Sequence, residues 1–318
     1  MRLAARLLAA AACLAQAGGA AAAGAADGSL VSVGSDTVSP LIARWADAFR
    51  AQRPRVRIEV QAAGSASAPS ALAEGAADLG SMSRPMSDAE LASFHRRYGY
   101  APTRLTVAHD AIVVFVHPDN PLRRVTLAEL DAIYSDTRRC GAGSAVRRWR
   151  ELDAGADDLP MLAIGRNGVS GTFELFRETA LCGGRYRADV VAWPGNGAIV
   201  AAVAGNREAI GYAGIGYVNG LVKPLALARG DADGGVLPDR SSVTDGRYPL
   251  ARNLYVYANL PPRRAPAGLP AEFLAFALSD DGQALARLEG FAPLSAAERD
   301  AQRATLGGLA NPTTPDRP

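Results

Sequence analysis

Residues 161–176 read MLAIGRNGVSGTFELF, and this stretch decides the fold of the chain. A short apolar run at 161–164 leads into a loop rich in Gly and Ser, and the apolar side of a helix follows. We therefore predict a buried strand, a tight turn and a helix start. The first amides of a helix have no partner inside it, and the helix dipole is positive at that end, so such a turn can bind an anion.

The side chains of this turn suit an oxyanion. Arg166 supplies a guanidinium group that stays charged and donates hydrogen bonds in a fixed fork. Ser170 and Thr172 can add hydroxyl donors, and Gly171 lets the backbone approach a ligand closely. The alternative is that Ser170 only caps the helix, as serine commonly does at a helix start.

Two further strand-to-helix turns have a similar composition. Residues 31–40, VSVGSDTVSP, run from a short strand into a helix, and residues 61–67, QAAGSAS, follow the alternating strand at 56–60. We expect Gly75 to end the helix that the second of these turns begins. Numbered along the chain, these are the first and second turns, and the turn at 165–172 is the third. Together the three turns predict a buried oxyanion that is held mostly by neutral dipoles.

Strand and helix patterns alternate along the rest of the chain. Capping boxes at Ser87 and Thr126 predict two helix starts. The continuous apolar run at 111–116 is expected in a parallel sheet, and the apolar face of residues 271–288 predicts one helix. Residues 230–248 are polar and are predicted to form a surface loop. The alternation favours an α/β fold with mainly parallel sheets.

Composition excludes several classes of function. The chain has 318 residues, 48% of them hydrophobic, which is enough for a large core and for roughly two domains. A net charge of +2 and an aromatic content of 6% argue against a nucleic-acid partner. We find no Cys-x-x-Cys pair or histidine cluster for zinc and expect no cofactor. Only His109, beside Asp110, suggests a catalytic base, and no Gly-x-Ser-x-Gly elbow is present, so we do not expect an enzyme.

The first 26 residues have the pattern of a signal peptide. A positive start at Arg2 and Arg6 precedes a short apolar stretch, and small residues from 17 to 26 offer cleavage sites. We predict a soluble protein exported to the periplasm, with a disordered tail from residue 311. Cys13 could instead carry a lipid anchor.

Two cysteines remain if Cys13 is removed with the signal peptide. An even pair in an oxidising compartment suggests a disulfide between Cys140 and Cys182. The alternative is two separate thiols, because the sequence does not give the distance between them.

In their order and spacing, these segments resemble the exported phosphate-binding proteins of bacterial phosphate ABC transporters. The resemblance runs from about residue 31 to residue 294. Its markers are GSDT at 34–37, GS at 64–65, SRPM at 83–86, GRN at 165–167, SGT at 170–172, AIGY at 209–212 and YPLAR at 248–252.

The resemblance implies a two-lobed solute-binding fold of type II, in which each lobe is a mainly parallel sheet flanked by helices. Lobe I would comprise residues 27–112 and 248–318, and lobe II residues 113–247. The ligand would lie in the cleft between the lobes, which would close about a hinge. The implied function is capture of inorganic phosphate and its delivery to the permease subunits of an ABC transporter. We expect the protein to be a monomer.

The resemblance also assigns ligand-binding roles to matching positions. These are Thr37, Val38 through its amide, Ser65, Ser83, Arg166, Ser170, Gly171 and Thr172. Ser35 and Asp36 are further candidates within the first turn. Arg84 would be either a ligand residue or part of an ion pair between the lobes. Tyr212 and Tyr217 are expected to pack at the hinge.

One departure from the family bears on which anion binds. Some relatives have an aspartate where this chain has Ser83, and that carboxylate accepts the proton of hydrogen phosphate, which sulfate lacks. Ser83 can also donate, so it discriminates less by itself, and Asp110 and Asp36 are candidates for the acceptor. The alternatives are therefore a binder of another oxyanion, such as sulfate or molybdate, or an exported sensing or adhesion protein that keeps the fold.

Overall fold

The computed structural model describes residues 28–262 and 267–307. The predicted signal peptide and the tail from residue 311 lie outside these residues. The strands are β1 Gly28–Gly34, β2 Val56–Gln61, β3 Leu79–Met82, β4 Thr103–Val116, β5 Arg124–Thr126, β6 Leu162–Arg166, β7 Val191–Trp193, β8 Ala209–Gly214, β9 Lys223–Pro224, β10 Ala226–Ala228 and β11 Ala251–Ala258. The α-helices are α1 Ser39–Gln52, α2 Ala68–Glu74, α3 Asp88–Tyr98, α4 Leu127–Tyr134, α5 Gly171–Ala180, α6 Asn196–Ala204, α7 Arg240–Thr244, α8 Leu269–Ala277, α9 Asp280–Leu288 and α10 Ala296–Leu306.

Local sequence signals explain where these helices begin and end. Ser87 accepts a hydrogen bond from the amide of Glu90, and the Glu90 carboxylate accepts one from the amide of Ser87, so the predicted capping box at the start of α3 is confirmed. The box at Thr126 is likewise present at the start of α4. Gly75 ends α2 in the left-handed region, with φ of 75°, as predicted.

The strands join in the order β2-β1-β3-β11-β4-β8-β6-β7, with β9 also paired to β4, and β10 pairs with β5 in a separate sheet. Strand β1 lies parallel to β2 and β3, and β6 lies parallel to β7 and β8. Each half of the fold thus contains a parallel set of strands with helices, which is the predicted two-lobed α/β architecture.

Strand β4 corrects one prediction, because the apolar run at 111–116 does not lie in a parallel arrangement. Strand β4 is antiparallel to β11 through its first part and antiparallel to β8 over Ile112–Val116. The run is apolar because β4 crosses the middle of the sheet, where both faces are covered. Burial on both faces gives the same sequence pattern whatever the direction of the neighbouring strands.

Two helix predictions also need correction. Residues 271–288 were expected to form one helix, but α8 ends at Ala277 and α9 begins at Asp280. The break occurs because Ser279 accepts a hydrogen bond from the amide of Gly282 and so caps a new helix. Residues 230–248, predicted as a loop, contain the short helix α7, which Asp239 caps.

Three hydrophobic clusters fill the fold, two large cores and a small cluster between α2, α3 and β11. The first core packs α1, α8 and α9 against β1, the first part of β4 and β11, with Trp45 and Phe273 among its buried side chains. The second core packs α4, α5 and α6 against β6, β8 and the second part of β4, with Phe176 and Tyr212 buried in it. The division into residues 27–112 with 248–318 and 113–247 stays a prediction.

Cys140 and Cys182 form a disulfide at the edge of the second core, with Cα atoms 5.4 Å apart. This is the first of the two arrangements considered from the sequence. Among the residues that the structure describes, no helix is long and apolar enough to cross a membrane.

Candidate functional site

Two helix starts, one from each half of the fold, meet at the centre of the molecule. The turn after β1 leads into α1, and the turn after β6 leads into α5. Across the two turns, the Oγ1 atoms of Thr37 and Thr172 lie 3.1 Å apart, and both residues are fully buried. The predicted oxyanion donors of the first and third turns therefore share one location.

Two serines lie at the same location, Ser65 from the second turn and Ser83 directly after the end of β3. Ser65 Oγ accepts a hydrogen bond of 3.1 Å from the amide of Ser83 and lies 3.3 Å from Ser83 Oγ. A Cβ atom at position 171 would lie 2.5 Å from Ser65 Oγ and 2.7 Å from Ser83 Oγ, so only glycine fits there. The side chains of Thr37, Ser65, Ser83 and Thr172 form what we term the hydroxyl cluster.

Arg166 is almost completely buried, with 1% of its surface exposed. Its Nη2 donates to Asp36 Oδ1 at 2.5 Å and to the carbonyl of Pro194 at 2.9 Å. Its Nε and Nη1 have no hydrogen-bond partner within the described residues. Leaving buried charged donors unpaired costs free energy, so these nitrogens mark a place where an acceptor can bind.

Helix-start amides add neutral donors. Ser170 Oγ accepts from the amides of Thr172 and Phe173 at 3.1 and 3.4 Å, so it is an N-cap as the alternative proposed. In the first turn, Ser35 Oγ accepts from the amide of Thr37 at 3.2 Å. The amide of Val38 has no partner in the described part of the chain. The positive ends of α1 and α5 thus face the same small volume.

The carboxylate of Asp36 is held by donors from the other half of the fold. Besides Arg166, it accepts from the backbone and side-chain nitrogens of Asn196 at 3.2 and 2.8 Å. Tyr217, expected to pack at the hinge, donates its hydroxyl to the carbonyl of Asp36 at 2.6 Å. Burial raises the pKa of Tyr217, so its hydroxyl stays a donor. Asp36 therefore helps to join the two halves beside Arg166.

Asp110 forms a second buried ion pair beneath the hydroxyl cluster. Its Oδ2 lies 2.7 Å from Nε and 2.6 Å from Nη2 of Arg252. Its Oδ1 accepts from the amide of Ile215 at 3.0 Å. Arg252 Nη1 donates to Thr172 Oγ1 at 3.0 Å and to the carbonyl of Ser83 at 3.4 Å.

Sequence reasoning missed Arg252 and Asn196 as residues of the site. Arg252 appeared in the marker at 248–252, but its strand is far along the chain from the three turns. Asn196 is the first residue of α6, and its Nδ2 donates to Thr37 Oγ1 at 3.0 Å. Nothing in the local sequence distinguishes Asn196 from an ordinary residue at a helix start.

Arg84 forms ion pairs, and among the described residues its side chain makes no hydrogen bond to the hydroxyl cluster. Its Nη1 and Nη2 each lie 2.8 Å from a carboxylate oxygen of Glu90, and its Nε pairs with Glu174 of α5. Burial opposes the charge of Arg84, but its hydrogen bonds to these glutamates leave its pKa raised. Because α5 belongs to the second core, the contact with Glu174 links the two halves.

The histidine that the sequence singled out is held by two polar side chains. His109 Nδ1 lies 2.8 Å from Asn253 Oδ1, and its Nε2 lies 3.0 Å from Glu298 Oε1. These contacts attach β4 to β11 and α10. Across the described residues, no group of three or more His, Cys, Asp or Glu side chains could hold a metal ion.

Comparison with known proteins agrees with this geometry. A family model described as a PBP superfamily domain matches residues 19–281. The chain is 44% identical over 271 residues to the phosphate-binding protein PstS of Pseudomonas aeruginosa, covering 85% of this chain and 84% of that protein. It is 29% identical to protein SphX of Synechococcus elongatus, covering 83% of this chain and 77% of that protein.

A solved structure resembles the fold over most of its length. It is the crystal structure, with bound phosphate, of a protein assigned as a phosphate ABC transporter substrate-binding protein from Clostridium perfringens. The TM-score is 0.70 at 26% identity, with 84% of this chain and all of that chain covered. From the family model and the similarity to PstS together, this chain belongs to the PBP superfamily and, within it, to the phosphate-binding solute-binding proteins of bacterial phosphate ABC transporters.

Proposed function

We propose that this protein captures inorganic phosphate between its two halves and delivers it to the permease subunits of an ABC transporter. The observation that carries the proposal is the buried guanidinium of Arg166, whose Nε and Nη1 lack partners in the described structure. A buried oxyanion needs nearly every oxygen hydrogen-bonded, and the hydroxyl cluster and two helix starts supply further donors. The names of the relatives support phosphate as that anion.

The proposed ligand-binding residues are those of the sequence prediction, and the charged residues other than Arg166 have supporting roles. Thr37, Val38, Ser65, Ser83, Arg166, Ser170, Gly171 and Thr172 would contact the anion. Asp36 would hold Arg166, and Asp110 would hold Arg252, because both carboxylates already accept hydrogen bonds from these arginines. Arg84 would link the two halves.

Selection of phosphate over sulfate requires an acceptor for the ligand proton. In the hydroxyl cluster, nitrogen donors reach the oxygens of Thr37, Thr172 and Ser65. Within the described residues, no N–H group donates to Ser83 Oγ, whose contact in the cluster is Ser65 Oγ. We propose Ser83 Oγ as the acceptor, in preference to Asp36 and Asp110. Ser83 Oγ is restricted to accepting when its own proton is donated to Ser65 Oγ, and a fully ionised anion would then leave this acceptor unpaired.

Isothermal titration calorimetry of the mature protein tests the function. The protein should first be unfolded and refolded to remove bound ligand, and then titrated with phosphate and with sulfate. We expect one phosphate per chain and little heat with sulfate. Equal binding of both anions, or binding of sulfate alone, would favour the alternative of a different oxyanion. Binding of neither would refute capture of phosphate.

The remaining parts of the proposal are export, oligomeric state and absence of catalysis. We propose a periplasmic monomer that is not an enzyme. Size-exclusion chromatography with light scattering should give the mass of one chain. Chromogenic phosphate esters should show no turnover, because His109 contacts Asn253 and Glu298 and has no serine or cysteine nucleophile among its hydrogen-bond partners.

A further inference from the structure

We propose that Asn196 and Arg252 are positioning residues that commit the hydroxyls of Thr37 and Thr172 to donate hydrogen bonds to the bound anion. A threonine hydroxyl has one proton and can either donate or accept toward a ligand. An oxyanion without a proton needs donors on all sides. The inference rests on the proposed function, and it concerns residues that approach the anion-binding hydroxyls from behind.

The orientation of the Asn196 amide follows from its neighbours. Its Oδ1 lies 3.2 Å from the amide nitrogen of Gly214, which can only donate. Its Nδ2 lies 2.8 Å from Asp36 Oδ2, which as a carboxylate can only accept. If the amide were reversed, its nitrogen would face the Gly214 amide, which is also a donor, and its oxygen would face the Asp36 carboxylate, which is also an acceptor. Nδ2 therefore also donates to Thr37 Oγ1, 3.0 Å away.

Arg252 acts on Thr172 in the same way. A guanidinium group has donors only, so Nη1 must donate to Thr172 Oγ1 at 3.0 Å. The ion pair with Asp110 fixes the guanidinium through Nε and Nη2, which leaves Nη1 to face Thr172. Each threonine oxygen thus accepts an N–H from the protein, and each hydroxyl proton is left for an oxygen acceptor, which is either the other threonine oxygen, 3.1 Å away, or an oxygen of the anion.

Each threonine is oriented by a residue from the opposite half of the fold. Thr37 precedes α1 of the first core, whereas Asn196 begins α6, which packs in the second core. Thr172 lies in α5 of the second core, whereas Arg252 lies on β11, which packs in the first core. The two hydroxyls are therefore committed as donors only when the halves are together. Closure would create the donor pattern at the same time as it encloses the anion.

Double-mutant cycles on phosphate affinity test this inference. Asn196→Ala and Thr37→Val should each weaken binding by about tenfold or more, because hydrogen bonds to charged groups are strong. If Asn196 acts through Thr37, the double variant should bind no more than about threefold more weakly than the worse single variant. Arg252→Lys with Thr172→Val should behave in the same way.

A matched control uses a hydroxyl that Asn196 does not touch. Ser170 accepts hydrogen bonds from backbone amides of α5 and has no hydrogen bond with Asn196 among the described residues. The fold losses of phosphate affinity caused by Asn196→Ala and Ser170→Ala should therefore multiply in the double variant. If the effects of Asn196→Ala and Thr37→Val also multiply, the positioning role is wrong. Urea unfolding of each variant shows whether it is folded. Asn196→Ser, which keeps a hydroxyl oxygen near the Gly214 amide, replaces the alanine variant if that one does not fold.

The outcomes separate this inference from the proposed function. If the unaltered protein fails to bind phosphate, the function itself is refuted. If it binds phosphate but the paired substitutions act independently, the function stands and the positioning role of Asn196 and Arg252 is refuted.

Discussion

Replacing the buried pair of Arg166 and Asp36 by neutral residues should separate ligand binding from stability. In Arg166→Met/Asp36→Asn, the nitrogens Nε and Nη1, which lack partners in the described structure, are lost. Each hydrogen bond to a charged group contributes about 1.5–3 kcal/mol, so two contribute about 3–6 kcal/mol. Phosphate affinity should therefore fall by about 10²- to 10⁴-fold.

The stability of the unliganded protein should not fall with this double substitution. Replacing a buried ion pair by neutral groups of similar size is often neutral or stabilising, by about 1–4 kcal/mol, because the desolvation penalty disappears. Here the Arg166 side chain is 1% exposed and the Asp36 side chain 14% exposed, so desolvation is extensive. We expect the unfolding midpoint without phosphate to stay the same or rise.

Thermal unfolding with and without excess phosphate, together with calorimetry, measures both effects. A ligand that binds the native state stabilises it by RT ln(1 + [L]/Kd), so the phosphate-induced rise in midpoint should shrink markedly in the double variant. The matched control is Arg187→Met/Asp189→Asn, which removes another buried arginine and its partner, 2.9 Å apart, in the second half of the fold. The reasoning is refuted if the Arg166 variant keeps phosphate affinity within about threefold.

Four other changes test separate parts of the structure. Glu174→Gln should speed phosphate release several-fold in stopped-flow displacement, because it breaks the ion pair between the halves, whereas Glu178→Gln on the same helix should not. Ser83→Ala should weaken phosphate binding in calorimetry without weakening sulfate binding, so the preference for phosphate should shrink, and an unchanged preference would contradict the role of Ser83 as acceptor. Reducing the disulfide, which spans 42 residues, should lower the free energy of unfolding by about 4 kcal/mol in urea titrations without changing phosphate affinity. Burial tends to raise the pKa of Glu90, but hydrogen bonds from Arg84 and the Ser87 backbone lower it overall. Its stabilisation is therefore present at neutral pH and lost as the pH falls below the ordinary value of 4.5, and Glu90→Gln should weaken that acid dependence of urea unfolding.

The turns of the site could be predicted from sequence because their signals are local. A short apolar strand, a Gly- and Ser-rich turn and a helix start are all encoded within about ten residues, as at 161–172. Gly171 was expected to allow close approach, and the structure gives the reason, since any side chain there would collide with Ser65 and Ser83. The capping boxes at Ser87 and Thr126 were equally local.

The parts that were missed depend on contacts between distant segments. Asn196 and Arg252 enter the site only because α6 and β11 come to lie behind α1 and α5, and no local pattern records that arrangement. The direction of β4 was missed for a similar reason, because a strand buried on both faces is apolar in parallel and antiparallel sheets alike. The break between α8 and α9 did have a local signal, the capping serine at 279 followed by two aspartates, but the apolar face continues across it.

The charges of the site suggest how an anion can be bound without making the unliganded fold unstable. Arg166 is paired with Asp36 and Arg252 with Asp110, so the two buried arginines bring no net charge into the interior. Attraction for the anion then comes from the nitrogens of Arg166 that Asp36 does not use, from hydroxyls and from helix-start amides. Because each carboxylate holds its arginine in place, the donors need little rearrangement when the ligand arrives. The same pairing limits the excess positive charge at the site. Selectivity therefore depends on the placement of the donors and of the proposed acceptor, Ser83, more than on electrostatic attraction.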